Sequence, residues 1–267
     1  MTFNLILKTL ALRLLPEALL QPLRKAHYAR KLATAAAEPE MTVLRHLVPA
    51  GGCAIDLGAN FGSYTKLLAE GVGDGGVVYA FEPIPSTFQV LRSNVERLGL
   101  SNVEAFPVAA SDVAAFVEMV VPRYATGGVN LYEARIGRPS RGEATVRVTT
   151  VRLDDVFADL DRVDVIKCDV EGHELGVLKG ADRLLHRCRP AWLMELSGNP
   201  DKPASPAAEV VARMRAAGYE IYRFDGRQLR PRSRGNRAVN YFFLRPEHLG
   251  RLPQDLKAAT SGHTLPA

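Results

Sequence analysis

Short apolar segments alternate with segments of helical periodicity from residue 42 onward. Cys53–Leu57 is an apolar run interrupted only by Asp56, and the next segment places Tyr64, Leu67 and Leu68 at helical spacing. Continuous apolar runs are typical of strands buried on both faces, and helices between such strands make them parallel. The alternation therefore predicts an α/β domain with a mostly parallel sheet and helices on both faces.

The same pattern continues almost to the end of the chain. Further strands are predicted at 77–81, 103–108, 163–168 and 191–196, and helices at 88–98, 174–185 and 207–217. Segments 219–224 and 239–244 have no helical segment between them, which predicts an antiparallel hairpin on the sheet edge.

Residues 113–152 interrupt this alternation. The sequences VEMVV and TVRVTTV predict two extended strands, and the loop between them, residues 124–142, is rich in Gly and Arg. Long insertions of this kind often carry function, so we interpret this one as a candidate substrate lid.

The net charge of +5 is concentrated at the N-terminus. Residues 1–32 hold six basic side chains against Glu17 alone, whereas the rest of the chain is neutral. Phe3, Leu7, Leu10 and Leu14 share one helical face, so residues 1–37 are predicted to form an amphipathic helical extension. It would pack on the body or on a second subunit of a homodimer, or else make peripheral contact with a membrane surface through residues 1–32.

A neutral body argues against a nucleic-acid partner. Cys53, Cys168 and Cys188 are odd in number and lack metal-ligand spacing, which indicates a reducing compartment. We expect a cytoplasmic protein, with peripheral location at the inner face of the membrane as the alternative. Residues 38–248 would form the main domain, and residues 249–267, rich in Gly, Pro, Ser and Thr, a poorly ordered tail.

A glycine turn follows the first predicted strand in the sequence DLGANFG, residues 56–62. The turn lacks the Gly-x-Gly-x-x-Gly spacing of a dinucleotide site. Asp56 could instead receive an ammonium group, and Glu82, at the end of the next strand, could accept both hydroxyls of a ribose. A ligand with a ribose, an ammonium group and no phosphate fits S-adenosylmethionine.

Three sequence blocks, at residues 54–65, 79–95 and 165–181, resemble the FkbM-type family of S-adenosylmethionine-dependent methyltransferases. The most specific is VIKCDVEGHELGVLKGA. The resemblance implies a class I methyltransferase (Rossmann-like) fold with a seven-stranded sheet, and O-methylation of sugars or polyketide-type natural products. It places these residues at the cofactor: Asp56, Gly58, Ala59, Asn60, Gly62, Tyr64 and Thr65 in the loop, Glu82 and Pro83 at the ribose, and Ala109 and Ser111 near the adenine.

Charged side chains crowd the end of the predicted strand 163–168. Asp169 and Glu171 are two apart and could converge, so we interpret Asp169 as the group that orients the acceptor or serves as base, with His173 as the alternative base. Glu195, at the end of the next strand, could join them. These carboxylates could instead hold Mg²⁺, but a metal-free site is our first choice.

Other functions stay open at this level. One alternative is a nucleotide-sugar oxidoreductase, although the chain lacks a Tyr-x-x-x-Lys pair. Another is a membrane- or nucleic-acid-associated binding protein with a vestigial cofactor site. The arginines of residues 223–237, with residues 124–141, suggest an anionic or lipid-linked sugar as acceptor.

Overall fold

The structure is a computed structural model, which describes residues 17–34, 37–122, 134–137, 139–140 and 143–258. The predicted helical face from Phe3 to Leu14 lies outside these residues, as do most of the loop at 124–142 and the end of the tail.

Twelve strands are present in the described part of the chain. They are β1 Cys53–Leu57, β2 Val77–Phe81, β3 Val103–Phe106, β4 Ala109–Ala110, β5 Ala115–Val121, β6 Arg135–Ile136, β7 Ala144–Val151, β8 Val165–Cys168, β9 Ala191–Glu195, β10 Glu220–Phe224, β11 Leu229–Pro231 and β12 Asn240–Leu244. Eight of them form one sheet in the order β11-β10-β12-β9-β8-β1-β2-β3, and β4-β7-β5-β6 form a second sheet.

Helices cover both faces of the large sheet. Their bounds are α1 Glu17–Thr34, α2 Met41–Leu47, α3 Ser63–Val72, α4 Pro85–Leu98, α5 Leu153–Val156, α6 Glu174–Gly180, α7 Asp182–Arg187, α8 Pro206–Ala216 and α9 Pro246–Leu249. Apolar residues of α2 and α3 pack on one face, and those of α6, α7 and α8 pack on the other. The predicted α/β layering is confirmed, since β1, β2, β3, β8 and β9 run parallel to one another.

The predicted seven-stranded sheet has eight strands. Strands β10 and β12 pair antiparallel as predicted, but the segment between them adds the short strand β11 on the outer side of β10. Strand β12 inserts between β10 and β9. The edge of the sheet is therefore β11, and not the predicted hairpin.

Two further boundaries differ from the predictions. The helix expected at 174–185 is divided at Ala181, where the backbone leaves the helical conformation with φ −121°. At the preceding Gly180 the chain lies so close to Ser111 that a Cβ would overlap the Ser111 carbonyl oxygen. Of the tail predicted at 249–267, the described residues 249–258 are ordered: Leu252 and Leu256 are buried and a 3₁₀ helix spans Gln254–Leu256. These apolar side chains complete the core beside β11.

The insertion forms the second sheet, in which β5 pairs antiparallel with both β6 and β7. Met119, Val121 and Val148 from one face of this sheet pack on Ile84, which follows β2. The insertion thereby stands over the carboxyl ends of the parallel strands.

Helix α1 packs on the body of the domain against α4. The Gln21 amide donates to the Ser86 carbonyl at 3.2 Å, and the Arg97 side chain donates to the Ala29 carbonyl at 3.2 Å. Leu19 and Leu23, by contrast, are each 56% exposed. Within the residues that the structure describes, none of the helices has the length and apolar character needed to span a bilayer.

Candidate active site

The glycine turn after β1 forms one wall of a cavity at the carboxyl end of the large sheet. Gly58, Asn60 and Gly62 all adopt left-handed backbone angles, with φ of +74°, +52° and +96°. Asparagine tolerates this conformation better than most residues, which explains why Asn60 can stand within a glycine-rich turn. A Cβ on Gly58 would overlap the Asp169 carbonyl oxygen, so the turn lies directly against the end of β8.

Glu82 lies at the end of β2 and faces the same cavity. Its two carboxylate oxygens accept hydrogen bonds from the Asn60 N–H at 3.0 Å and the Ile84 N–H at 2.9 Å. Burial raises the pKa of Glu82 to about 7, against the opposing effect of these two donors. The carboxylate is thus held in one orientation and can still accept hydroxyl donors from the cavity.

Asp56 is fully buried beneath the turn and does not line the cavity. Its Oδ2 accepts from the Thr65 hydroxyl at 2.6 Å, and its Oδ1 has no hydrogen-bond partner among the described residues. Burial raises the pKa of Asp56, and the Lys167 ammonium opposes that shift. Strands β1 and β8 place Asp56 and Lys167 side by side in register. Asp56 therefore supports the turn from below.

Lys167 connects the two sides of the site. Its side chain is 4% exposed, and its Nζ donates to Asp169 Oδ2 at 2.9 Å. Burial alone would lower the pKa of Lys167, but the carboxylates of Asp169 and Asp56 outweigh it and raise that pKa. The Nζ also lies 4.9 Å from the centre of the Tyr64 ring. One buried cation thus lies beside a carboxylate under the turn and pairs with a carboxylate in the cavity. The sequence indicated that Lys167 could pair with a neighbouring carboxylate, but not that it would lie between two.

Three carboxylates meet beyond β8 and β9. One oxygen each of Asp169, Glu171 and Glu195 lies within 4.8 Å of the others. Glu171 has φ +51°, which is strained for a non-glycine residue and turns the chain sharply after β8. Burial, followed by the charge of Asp169, raises the pKa of Glu195. The cluster can accept a proton or a hydrogen bond from a hydroxyl group. One of its residues, Asp169, already accepts a hydrogen bond from Lys167.

His173 points to a different part of the cavity. Its Nε2 lies 2.9 Å from Ser111 Oγ, after β4, and its ring packs against Gly176. Burial lowers the pKa of His173, against the opposing charge of Asp112. The structure therefore joins His173 to Ser111, on the side predicted to border the adenine, and the cluster of three carboxylates does not include His173.

Some of the predicted site residues line the cavity, and the others lie outside its lining. Those that line the cavity are Gly58, Asn60, Glu82, Pro83, Ala109, Asp169, Glu171 and His173. Those outside its lining are Asp56, Ala59, Gly62, Tyr64, Thr65, Ser111 and Glu195. Sequence reasoning missed an apolar wall of the cavity formed by Ile84, Met119, Ala134 and Ile136. The alternation in β5 predicted the strand but gave no sign of which face meets the cavity.

The N-terminal extension covers the outer side of the glycine turn. The Tyr28 ring stacks on Phe61 with centroids 5.2 Å apart and planes at 18°, and Lys31 Nζ lies 4.8 Å from the Phe61 ring centre. The Tyr64 hydroxyl donates to Glu38 at 2.7 Å. The loop is therefore held between the sheet and residues that precede it.

The chain matches one protein-family model and several known proteins. The model of the "Methyltransferase FkbM domain" matches residues 56–221. The chain is similar to "31-O-demethyl-FK506 methyltransferase FkbM" of Streptomyces tacrolimicus, at 31% identity over 67% of this chain and 77% of the relative. It is also similar to "Methyltransferase 1" of Beauveria bassiana, at 28% identity over 48% of this chain. "Hexuronic acid methyltransferase AglP" of Haloferax volcanii shares 27% identity over 49% of this chain and 50% of the relative.

The chain spans 57% of the length of the Beauveria protein. The family model nevertheless begins at Asp56, beneath the turn, and extends through Glu195 to β10, so it includes every side chain placed in the cavity or the carboxylate cluster. The model covers more than half of the chain, and the relative from Streptomyces is matched over most of its length. The chain therefore belongs to the FkbM methyltransferase family.

Proposed function

We propose that this protein transfers a methyl group from S-adenosylmethionine to a hydroxyl oxygen of a sugar or a natural product. The observation that carries the proposal is that Glu82 and Asp169 face one cavity, with the glycine turn packed between their strands. The relative from Streptomyces is named for an oxygen of FK506, and the relative from Haloferax for a hexuronic acid. Both names support oxygen as the methyl acceptor. Family membership leaves the oxidoreductase alternative without support.

The cavity residues fit such a donor. Glu82 would accept the ribose hydroxyls, and the backbone at Gly58 and Asn60 would lie along the amino-acid part, because the left-handed turn brings main chain to the cavity surface. Ala109 would border the adenine, with Ile84 as apolar cover. When bound, S-adenosylmethionine supplies an electrophilic methyl carbon.

Asp169 would orient the acceptor hydroxyl and take its proton. Lys167 holds one oxygen of Asp169, which fixes the carboxylate and leaves its other oxygen to accept the hydroxyl proton. A sugar or alkyl hydroxyl is a weak nucleophile at neutral pH, so a fixed acceptor for its proton assists the transfer. His173 is less suited to this role because Ser111 already engages its Nε2.

We further propose that the site works without a metal ion. Asp169, Glu171 and Glu195 have the oxygen chemistry that Mg²⁺ prefers, but the Lys167 ammonium lies 2.9 Å from Asp169 and already supplies a positive charge. Purified enzyme should keep its turnover in EDTA. Loss of turnover in chelator that added Mg²⁺ restores would contradict this proposal.

The cofactor part of the proposal is tested by ligand binding. S-adenosylhomocysteine should raise the melting temperature because it binds only the folded state, whereas NAD should not. Calorimetry on folded protein that detects neither S-adenosylmethionine nor S-adenosylhomocysteine would refute the proposed function.

The assignment of the base is tested with two variants. Asp169→Asn should reduce kcat by about 10²–10⁴-fold and leave the Kd of S-adenosylhomocysteine nearly unchanged. His173→Gln should mainly raise the KM of S-adenosylmethionine, since it breaks the contact with Ser111. A larger loss of kcat in His173→Gln than in Asp169→Asn would make His173 the base.

A further inference from the structure

The arginines of residues 223–237 fall into two structural groups. Arg230 forms an ion pair with Asp225, and Arg232, whose side chain is 4% exposed, forms an ion pair with Asp201 beneath the loop. Arg223 lies on β10 opposite Arg230. These arginines belong to the framework of β10, β11 and the loop that follows β9.

A second group has no such partner. Arg227, Arg234 and Arg237 are exposed, as is Lys202 in the loop after β9. Within the described part of the chain, the side chains of these four residues make no ion pair or hydrogen bond. We name these four residues the basic rim. The charge of Arg234 helps to lower the pKa of Asp201, but Asp201 already pairs with Arg232, so the exposed cations of the basic rim can bind an anion.

The topology places the basic rim at the same end of the sheet as the carboxylate cluster. Asn240 on β12 is in register with Glu195 on β9, and the Leu196 N–H donates to the Val239 carbonyl at 3.0 Å. Arg237 precedes Val239 by two residues, a backbone distance of at most roughly 7 Å. Phe224 pairs with Leu229, so the turn between them, which carries Arg227, lies at this end too.

The loop after β9 connects the rim to the framework. Asp201 accepts from the Gly235 N–H at 2.8 Å and pairs with Arg232, which fixes the segment between Arg232 and Asn240 beside the loop that carries Lys202. The rim therefore has a defined position on the β10–β12 side of the cavity.

The charges divide the site into two chemical regions. Asp169, Glu171 and Glu195 would repel an anion placed directly beside them, whereas guanidinium groups bind carboxylate and phosphate with two hydrogen bonds. Building on the function proposed above, we propose that the acceptor carries a carboxylate or phosphate group, which the basic rim binds while a hydroxyl on the same molecule reaches Asp169. The rim thereby selects anionic sugars or metabolites over neutral ones.

The test uses S-adenosylmethionine with a radiolabelled methyl group and an extract of small glycans and metabolites from the organism that makes the protein. We expect the label in products retained on an anion-exchange column. Loss of retention after treatment with phosphodiesterase and phosphatase identifies a phosphate, and loss of retention after carbodiimide coupling to a neutral amide identifies a carboxylate. Label found only in the unretained, neutral fraction would overturn the inference.

Variants test the rim itself. Arg234→Gln/Arg237→Gln should raise the KM of the retained acceptor by about tenfold or more and leave the Kd of S-adenosylhomocysteine unchanged. The control Arg92→Gln/Arg215→Gln removes the same charge from exposed helical positions on α4 and α8 and should change neither value. An unchanged KM in the rim variant refutes the inference.

One outcome separates the inference from the proposed function. If the wild-type protein binds S-adenosylhomocysteine and labels no fraction, methyl transfer to such acceptors is contradicted, and the role of the rim is contradicted with it. Label found only in the neutral fraction refutes the proposed role of the basic rim and leaves the proposed methyl transfer intact.

Discussion

Cofactor affinity should depend on pH through Glu82. Burial raises the pKa of this carboxyl from 4.5 to about 7 in the protein without ligand. The ribose hydroxyls donate to the ionised form, so binding requires the proton to leave. About one tenth of the protein has Glu82 ionised at pH 6 and about nine tenths at pH 8, which makes the Kd of S-adenosylhomocysteine about tenfold higher at pH 6.

Folding stability should change in the opposite direction. Since the folded pKa of Glu82 lies above the unfolded value, the folded state binds more protons between about pH 4.5 and 7. The contribution of this residue to the free energy of unfolding therefore falls by about 3 kcal/mol as pH rises through that window. The melting temperature gained on adding S-adenosylhomocysteine should accordingly be larger at pH 8 than at pH 6.

Isothermal titration calorimetry at both pH values measures the effect. Asp56 also has a raised pKa, so Glu82→Gln is the control: it should bind weakly and lose most of the pH dependence. Equal affinity at pH 6 and pH 8 in the wild type would refute the reasoning. A pH dependence that persists in full in Glu82→Gln would assign it to another group.

Three other predictions follow from the packing of the site and of α1. Gly58→Ala should destabilise the protein in urea by about 2 kcal/mol more than Gly99→Ala, because both need a left-handed φ but only Gly58 contacts backbone. Lys167→Met should lower the free energy of unfolding by about 2–3 kcal/mol, since it removes the charge beside the buried Asp56 and the partner of the partly exposed Asp169, whereas Lys66→Met, at a surface ion pair, should cost under about 1 kcal/mol. The protein should sediment with vesicles that contain anionic phosphatidylglycerol, through contact of its N-terminal region, but not with neutral phosphatidylcholine vesicles. Replacing the exposed leucines of α1 with serine should weaken this sedimentation. Sedimentation with neither vesicle type would exclude membrane contact.

The central parallel strands β1 and β8 are buried on both faces, and their largely apolar sequence made them predictable. Strand β2 is buried less completely, but its sequence is apolar throughout, and residues 53–57 and 77–81 both have the predicted bounds. The left-handed Gly99 ends α4 as the sequence indicated.

The short strands could not be found in the same way. Strands β4, β6 and β11 have two or three residues each, too few to show any period. Their existence depends on tertiary pairing, as when Arg230 on β11 aligns with Arg223 on β10. Two like charges side by side would have argued against that pairing on sequence alone.

The sequence predicted where the site lies, but not which contact each of its side chains makes. Glu82 and Asp169 follow strands, so the parallel sheet brings them to one edge. The contacts of each side chain were not predictable, because they depend on tertiary partners: backbone N–H groups for Glu82, Lys167 for Asp169 and Ser111 for His173. The left-handed turn at Glu171 and Gly172, between Asp169 and His173, is not indicated by an ordinary residue at position 171.

Backbone strain and buried acidic groups occur together at the cavity. Of the four non-glycine residues with left-handed backbone angles in the described part of the chain, Asn60 and Glu171 line the cavity, and the pKa values of Glu82 and Glu195 are raised because burial disfavours their ionised forms. A chain selected for stability alone would replace such residues with glycine or with apolar side chains. Groups that weaken the free protein but present oriented acceptors to one cavity are better explained by a ligand that compensates them on binding. The carboxyl edge of β1, β2, β8 and β9 is therefore shaped by what binds there.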